Sequence, residues 1–224
     1  MFRLIKIIFN ATILVLAIIG FNTIGGQKYV DAVIKNVSSF IKDNVQESAK
    51  EVGDFSNVDK EFEIDNTFKL FGYKGVLCAH KASGQRLVLL NTGNKTVLSQ
   101  TDIQSKDIAN KIKSAFEKTK YQAITIEEIK VTERGMITAK GKTVPYAKFD
   151  ARVTKLPVKD YTGIIAALST TNGNNELIVA VNESKRYSQL ITREFFSKVK
   201  EIDARETSVR CLKAIKKDFK SVGV

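Results

Sequence analysis

Gly163-Ile164-Ile165-Ala166-Ala167-Leu168 and Leu177-Ile178-Val179-Ala180-Val181 are two short apolar runs joined by Asn172-Gly173-Asn174-Asn175. Neither run alternates with polar residues, so both faces of each strand are expected to be buried, as in the centre of a sheet. The Asn/Gly cluster between them is turn chemistry and makes the pair a hairpin. Working outward, Phe62 to Phe71, Gly75 to Lys81 and Gln85 to Leu90 read as strands upstream, with a turn at Asn91-Thr92-Gly93-Asn94. Ile124, Ile126, Ile129 and Val131 follow, with alternation slipping at Glu127-Glu128, which predicts a bulge. A second slip falls near Pro145 to Lys148, between Val144, Tyr146 and Phe149, Ala151, Val153. The two slips predict a long, strongly bent antiparallel pair. Glu133-Arg134-Gly135 and Lys140-Gly141-Lys142 read as tight turns.

Helical spacing appears in three places around these strands. A helix from about residue 103, capped by Thr101 or Asp102, presents Ile103, Ile108, Ile112 and Phe116. A helix from about Tyr187 to Ile202 presents Leu190, Ile191, Phe195 and Val199. A last one, from about Ala204 to Lys220, presents Val209, Leu212, Ile215 and Phe219, with Arg210, Lys213, Lys217 and Lys220 on its other side. The fold class is therefore α+β, a bent antiparallel sheet covered by helices. In element order the hairpin Tyr161 to Val181, followed by the helix at Ser188 to Lys200, resembles the Mog1/PsbP-like group of α/β/α sandwiches over roughly residues 60–202. That resemblance implies a fold in a group with varied binding and accessory roles, and no particular reaction.

The first residues set the location. Arg3 precedes, and Lys6 lies near the start of, a mostly apolar run from Leu4 to Phe21, too long for a short signal core and close to the length of a membrane span. No Ala-x-Ala cleavage site follows. The expectation is a signal anchor over residues 1–26, spanning with residues 4–21, the N-terminus cytoplasmic and the body extracytoplasmic. If the leader is cleaved, near Gly25-Gly26, the body is secreted. Residues 27–58 are expected to form an amphipathic neck helix and linker, with Val30, Val33, Ile34, Val37, Phe40, Ile41 and Val45 on one side. That stripe, residues 30–45, is a candidate for packing on the domain or for self-association. Residues 59–224 form the extracytoplasmic α+β domain.

Charge is uneven. The net +12 includes −4 over residues 27–65, +5 over 66–101, +5 over 102–160 and +4 over 204–224. An acidic neck thus carries a basic body, which draws anionic lipid or anionic cell-wall polymer. The C-terminal Arg210, Lys213, Lys217 and Lys220 are the candidate anionic-partner contact. The aromatic interleaving of a single-strand binder is absent there, which argues against nucleic acid.

The residues for chemistry are few. Cys78 and His80 stand two apart on one strand and so share a face, the arrangement of a thiolate–imidazole pair or of two metal ligands. The chain has one histidine, and no spacing supplies further ligands, so no metal or cofactor is implied. No P-loop, Gly-x-Ser-x-Gly or His-Glu-x-x-His occurs. Cys78 and Cys211 are also a candidate disulfide in an exported protein. The reading is a membrane-anchored extracytoplasmic binding or interaction module of unknown ligand. The alternatives are a Cys/His-dependent enzyme and a cationic binder of envelope polymer or lipid.

Overall fold

The computed structural model describes residues 45–70, 73–117, 125–154 and 158–202. The predicted anchor at 4–21, most of the neck, Cys211 and the basic stripe Arg210, Lys213, Lys217 and Lys220 lie outside the described residues. No helix among the described residues is long and apolar enough to cross a membrane.

Seven strands form one antiparallel sheet: β1 Phe62–Leu70, β2 Tyr73–His80, β3 Arg86–Gly93, β4 Thr125–Ala139, β5 Lys142–Thr154, β6 Asp160–Ser169 and β7 Asn175–Glu183. Their spatial order is β1-β2-β3-β7-β6-β5-β4. The opening hairpin, β6–β7, is therefore central. It is buried along nearly its whole length on both faces, as its unbroken apolar runs demand. The helices are α1 Val45–Ala49, α2 Gln100–Gln104, α3 Ile108–Glu117 and α4 Gln189–Lys198.

Strand periodicity splits the core in two. Val88 and Leu90 of β3, with Leu177, Val179 and Val181 of β7, face Ile103, Ile108 and Ile112 of α2 and α3. Leu87 and Leu89, with Ile178 and Ala180, face Ala49 and Val52 at α1 and Phe195, Phe196 and Val199 at α4. The result is a three-layer sandwich with helices on each side of the sheet. Phe195 and Phe196 are fully enclosed, and each such side chain contributes roughly 1.5–3 kcal/mol by leaving water.

The bent pair β4–β5 forms as the broken alternation predicts, but both irregularities sit on β4. Its register shifts between Ile126 and Glu128 and again between Val131 and Glu133. The partner β5 runs in unbroken register with β6 from Tyr146 to Arg152, so no slip occurs at Pro145 to Lys148. An edge strand can absorb extra residues, whereas β5 is held on both sides. The expected turn at Glu133-Arg134-Gly135 is likewise inside β4. Gly135 serves close approach: a Cβ there would lie 2.7 Å from the Tyr146 hydroxyl. The turn is at Lys140-Gly141, both left-handed (φ 50° and 75°), the form that a two-residue hairpin requires.

Two helix expectations are also corrected. The cap before α2 is Ser99, whose Oγ accepts the Asp102 N–H while Asp102 accepts the Ser99 N–H. This short helix ends at Gln104, before α3 begins. In α4, Leu190 points to solvent, 75% exposed, and Thr192 and Phe196 take the inward positions beside Phe195. The Gln85 side chain sets that rotation. Its amide donates to the Ser188 carbonyl and to Thr192 Oγ1, and its oxygen accepts the Ser188 N–H.

Candidate functional site: a polar cleft at one end of the sheet

Two concavities flank the chain segment that enters the fold at α1. The first is polar, about 540 Å³, and lies where the β4–β5 and β6–β7 turns meet the end of the neck. Its walls are Glu47, Lys50 and Glu51 from α1 and the residues just after it, Lys74 from β2, and Thr170, Asn172 and Asn174 from the β6–β7 turn. Glu201 and Ile202 close it on the side where the described chain ends.

At its base lies a charged pair removed from water. Lys140 Nζ is 2.7 and 2.6 Å from the two oxygens of Glu176, and the two side chains are 2% and 1% exposed. Asn91 donates a further bond to Glu176 Oε1 at 3.1 Å. Lys140 Nζ also donates to the carbonyl of Val52. Lys140 Nζ thus donates two hydrogen bonds, to Val52 and to Glu176 Oε1, and meets Glu176 Oε2 as a charge contact, which together keep the charge inside the fold. Burial pushes the Glu176 carboxyl above its usual range, although Lys140 and Asn91 pull the other way. The pair joins three distant pieces of chain: the β4–β5 turn, the start of β7 and the segment after α1.

The rim is charged and paired. Glu51 holds both Lys69 and Lys74. Glu201 holds Lys142 at 2.8 Å and accepts the Thr171 N–H. Burial raises each of these carboxyls, but their lysine and hydroxyl partners outweigh it and hold both below the usual range. Next to the cleft, Asp54 and Lys200 form an antiparallel bridge, each N–H donating to the other's carbonyl at 3.0 Å. Residues 45–58, which the sequence reading assigns to neck and linker, therefore pack on the sheet, with Phe55 and Val58 against the α4 side of the core.

The second concavity, about 500 Å³, is lined mostly by apolar side chains, Val45, Phe55, Val58, Phe62, Ile64, Cys78 and Phe195, together with Gln46 and Glu63. Cys78 and His80 do share this side of β2. Cys78 is 1% exposed, and burial pushes its thiol well above the ordinary range. The His80 ring lies 5.1 Å from that of Phe62. Ser83 N–H donates to His80 Nδ1 at 3.2 Å, so Nδ1 is the acceptor and the ring proton sits on Nε2, 3.5 Å from Glu61 Oε2. The imidazole thus turns to the β2–β3 turn rather than to the thiol. Pairing of Cys78 with Cys211 falls outside the described residues. Among the described residues no cluster of three or more His, Cys, Asp or Glu side chains is arranged to hold a metal.

In the sequence Lys140 and Asn91 were read only as turn residues, and Glu176 was not singled out. One signal was present: Glu176 is a charged residue between the expected turn Asn172-Gly173-Asn174-Asn175 and the apolar run Leu177 to Val181. Nothing local identified its partner, which lies 36 positions away.

No family model matches the chain, and no curated protein matches it in sequence. In fold the chain is similar to the cyanobacterial PsbP protein (CyanoP) of Synechocystis sp. PCC 6803. The TM-score is 0.34 and the identity 10%, over 63% of this chain and 88% of that one. The sheet order and the two helical layers rest on the hydrogen bonds and packing described above.

Proposed function

We propose that this protein is a membrane-anchored extracytoplasmic binding module whose contact face is the polar cleft. One observation carries the reading: the segment after α1 is built into the cleft, through the Lys140 bond to Val52 and the Asp54–Lys200 bridge. The leader joins the domain through this segment, so anything bound in the cleft is held beside the tether. The lining of lysine, glutamate, asparagine and threonine side chains suits a polar, hydrogen-bonding partner. The competing Cys78/His80 enzyme requires a thiolate, and burial in an apolar groove opposes one.

The test has two parts. Intact mass of the protein from its native membrane fraction reads the anchor: a mass that includes residues 1–26 supports it, and a mass starting near Gly26 overturns it. A photo-crosslinking residue at Asn172, compared with one at Arg152 at the other end of the sheet, reads the cleft. Adducts confined to Asn172 support the reading, and equal or absent adducts at Asn172 overturn it.

A further inference from the structure

β4 ends the sheet, and no other described segment pairs with its outer side. Which of its backbone groups face outward follows from the β4–β5 turn. A two-residue loop is closed by a pair that exchanges both hydrogen bonds, here Ala139 and Lys142. From Glu133 to Ala139 the register is unbroken, so Ala139, Ile137, Gly135 and Glu133 turn their N–H and C=O groups to β5. Those of Arg134, Met136 and Thr138 therefore point away from the sheet.

Elsewhere the two edges are guarded. Upstream on β4, two register shifts break the strand before Glu133, and Lys113 donates to the Glu127 carbonyl. The opposite edge, β1, has a register shift between Ile64 and Asn66, has α1 packed against it, and carries Lys69, which Glu51 holds. Residues 133–139 have no such device. Their one acid, Glu133, is held by Tyr146 and Lys148, and their one base, Arg134, donates to the Ser105 carbonyl at 3.0 Å.

The open stretch also gathers apolar side chains. Met136 and Leu190 are the exposed large hydrophobics among the described residues, at 51% and 75%. Ile137 and Ala139 face α4, so Met136 lies on the other face of the strand. Leu190 belongs to the α4 face. It follows Gln189, which donates to the Tyr146 hydroxyl above Gly135. The open backbone thus has an exposed apolar residue near it on each face, which marks an interaction edge.

From this open backbone and these two side chains, we infer that β4 pairs with β4 of a second copy, antiparallel about a two-fold axis at Met136. The stretch is self-complementary at that centre. Met136 meets Met136, and Arg134 of each copy meets Thr138 of the other, so every outward N–H and C=O of the three finds a partner. The two Met136 side chains meet on one face of the joined sheet. Each stretch carries one acid and one base, so the pairing brings no net charge together, whereas the +12 chain as a whole repels its copy. The inference is independent of the cleft and of the anchor.

The experiment uses the full chain in detergent micelles, with sedimentation equilibrium at matched detergent density reading its mass. The expected result is a two-chain mass that falls to one chain in Met136→Lys, which sets like charges opposite each other at the axis, with thermal unfolding unchanged. A short bis-maleimide locates the contact in single-cysteine variants made in a Cys78→Ala, Cys211→Ala background. Met136→Cys should link two chains. Lys130→Cys should not, because its two copies stand about 40 Å apart along the paired strands. A one-chain mass for the unsubstituted protein overturns the inference. If the Met136 and Thr138 amides of that single chain are slow to exchange, the edge belongs to another segment of the same chain. A two-chain mass that survives Met136→Lys, or equal linking at both positions, also overturns it and moves the contact elsewhere.

Discussion

The two ends of the sheet handle charge in opposite ways. At the cleft end, Lys140 and Glu176 are almost sealed from water and bind three segments of chain together. At the other end, Arg152 and Asp160 pair at 2.9 Å on neighbouring strands with side chains 55% and 59% exposed. The chemistry is the same and the distances are similar. The difference is solvent. An exposed pair can exchange its partner for water at little cost, whereas a buried charge that loses its partner has nothing to replace it.

The sharpest test of that contrast is Glu176→Leu. It leaves the Lys140 ammonium buried without its counter-ion, and unfolding by denaturant should show a loss of about 3–5 kcal/mol. Adding Lys140→Met removes the stranded charge, so the double variant should recover most of the loss. If the single and double variants are equally unstable, the pair does not act through desolvation and the contrast fails. Gly135→Ala comes next, where the bent edge strand lies under the Tyr146 ring. A methyl group 2.7 Å from the phenol oxygen forces the ring aside, at about 1–3 kcal/mol by the same assay.

Asp102 lies between the extremes, partly exposed. The side-chain bond from Lys111, with the Ser99 bonds of the cap, holds its carboxyl down to about 2. A carboxyl depressed in the folded state stabilises at pH above its unfolded value and loses that contribution as pH falls. The window here runs from about 4 down to 2. Asp102→Ala should cost about 1 kcal/mol at neutral pH, and the deficit should close on acidification through that window. An unchanged deficit at the acid end would locate the effect in packing instead. Arg152→Ala should change stability by no more than about 0.5 kcal/mol. A larger loss would mean the exposed end is not the solvent-screened region that the comparison takes it to be.

The legible parts of this molecule were those whose cause is local. Unbroken apolar runs marked β6 and β7 as central because a strand covered on both faces has no polar side to show. The slip at Glu127-Glu128 marked a bulge because alternation along a strand has a fixed period of two. Gly135 misled because glycine serves both turns and close contacts, and the contact here is with Tyr146 on the next strand. Leu190 misled because the rotation of α4 is set by Gln85, about a hundred positions earlier. The candidate chemistry at Cys78 and His80 was legible as a shared face. Its burial and the turning of the ring toward Ser83 were not, because both depend on what α1, β1 and α4 lay over it.

By itself the sequence determined a basic chain with an apolar N-terminal run and an α+β body whose last hairpin lies at the centre, because composition and periodicity act over a few residues. Only the tertiary structure decided that Lys140 meets Glu176, that Asp54 meets Lys200, and that the neck is fastened to the domain where the described chain ends. Those contacts join segments 36 to 146 positions apart. Loop closure over such distances leaves no local pattern, and the partners are chosen by how the layers pack.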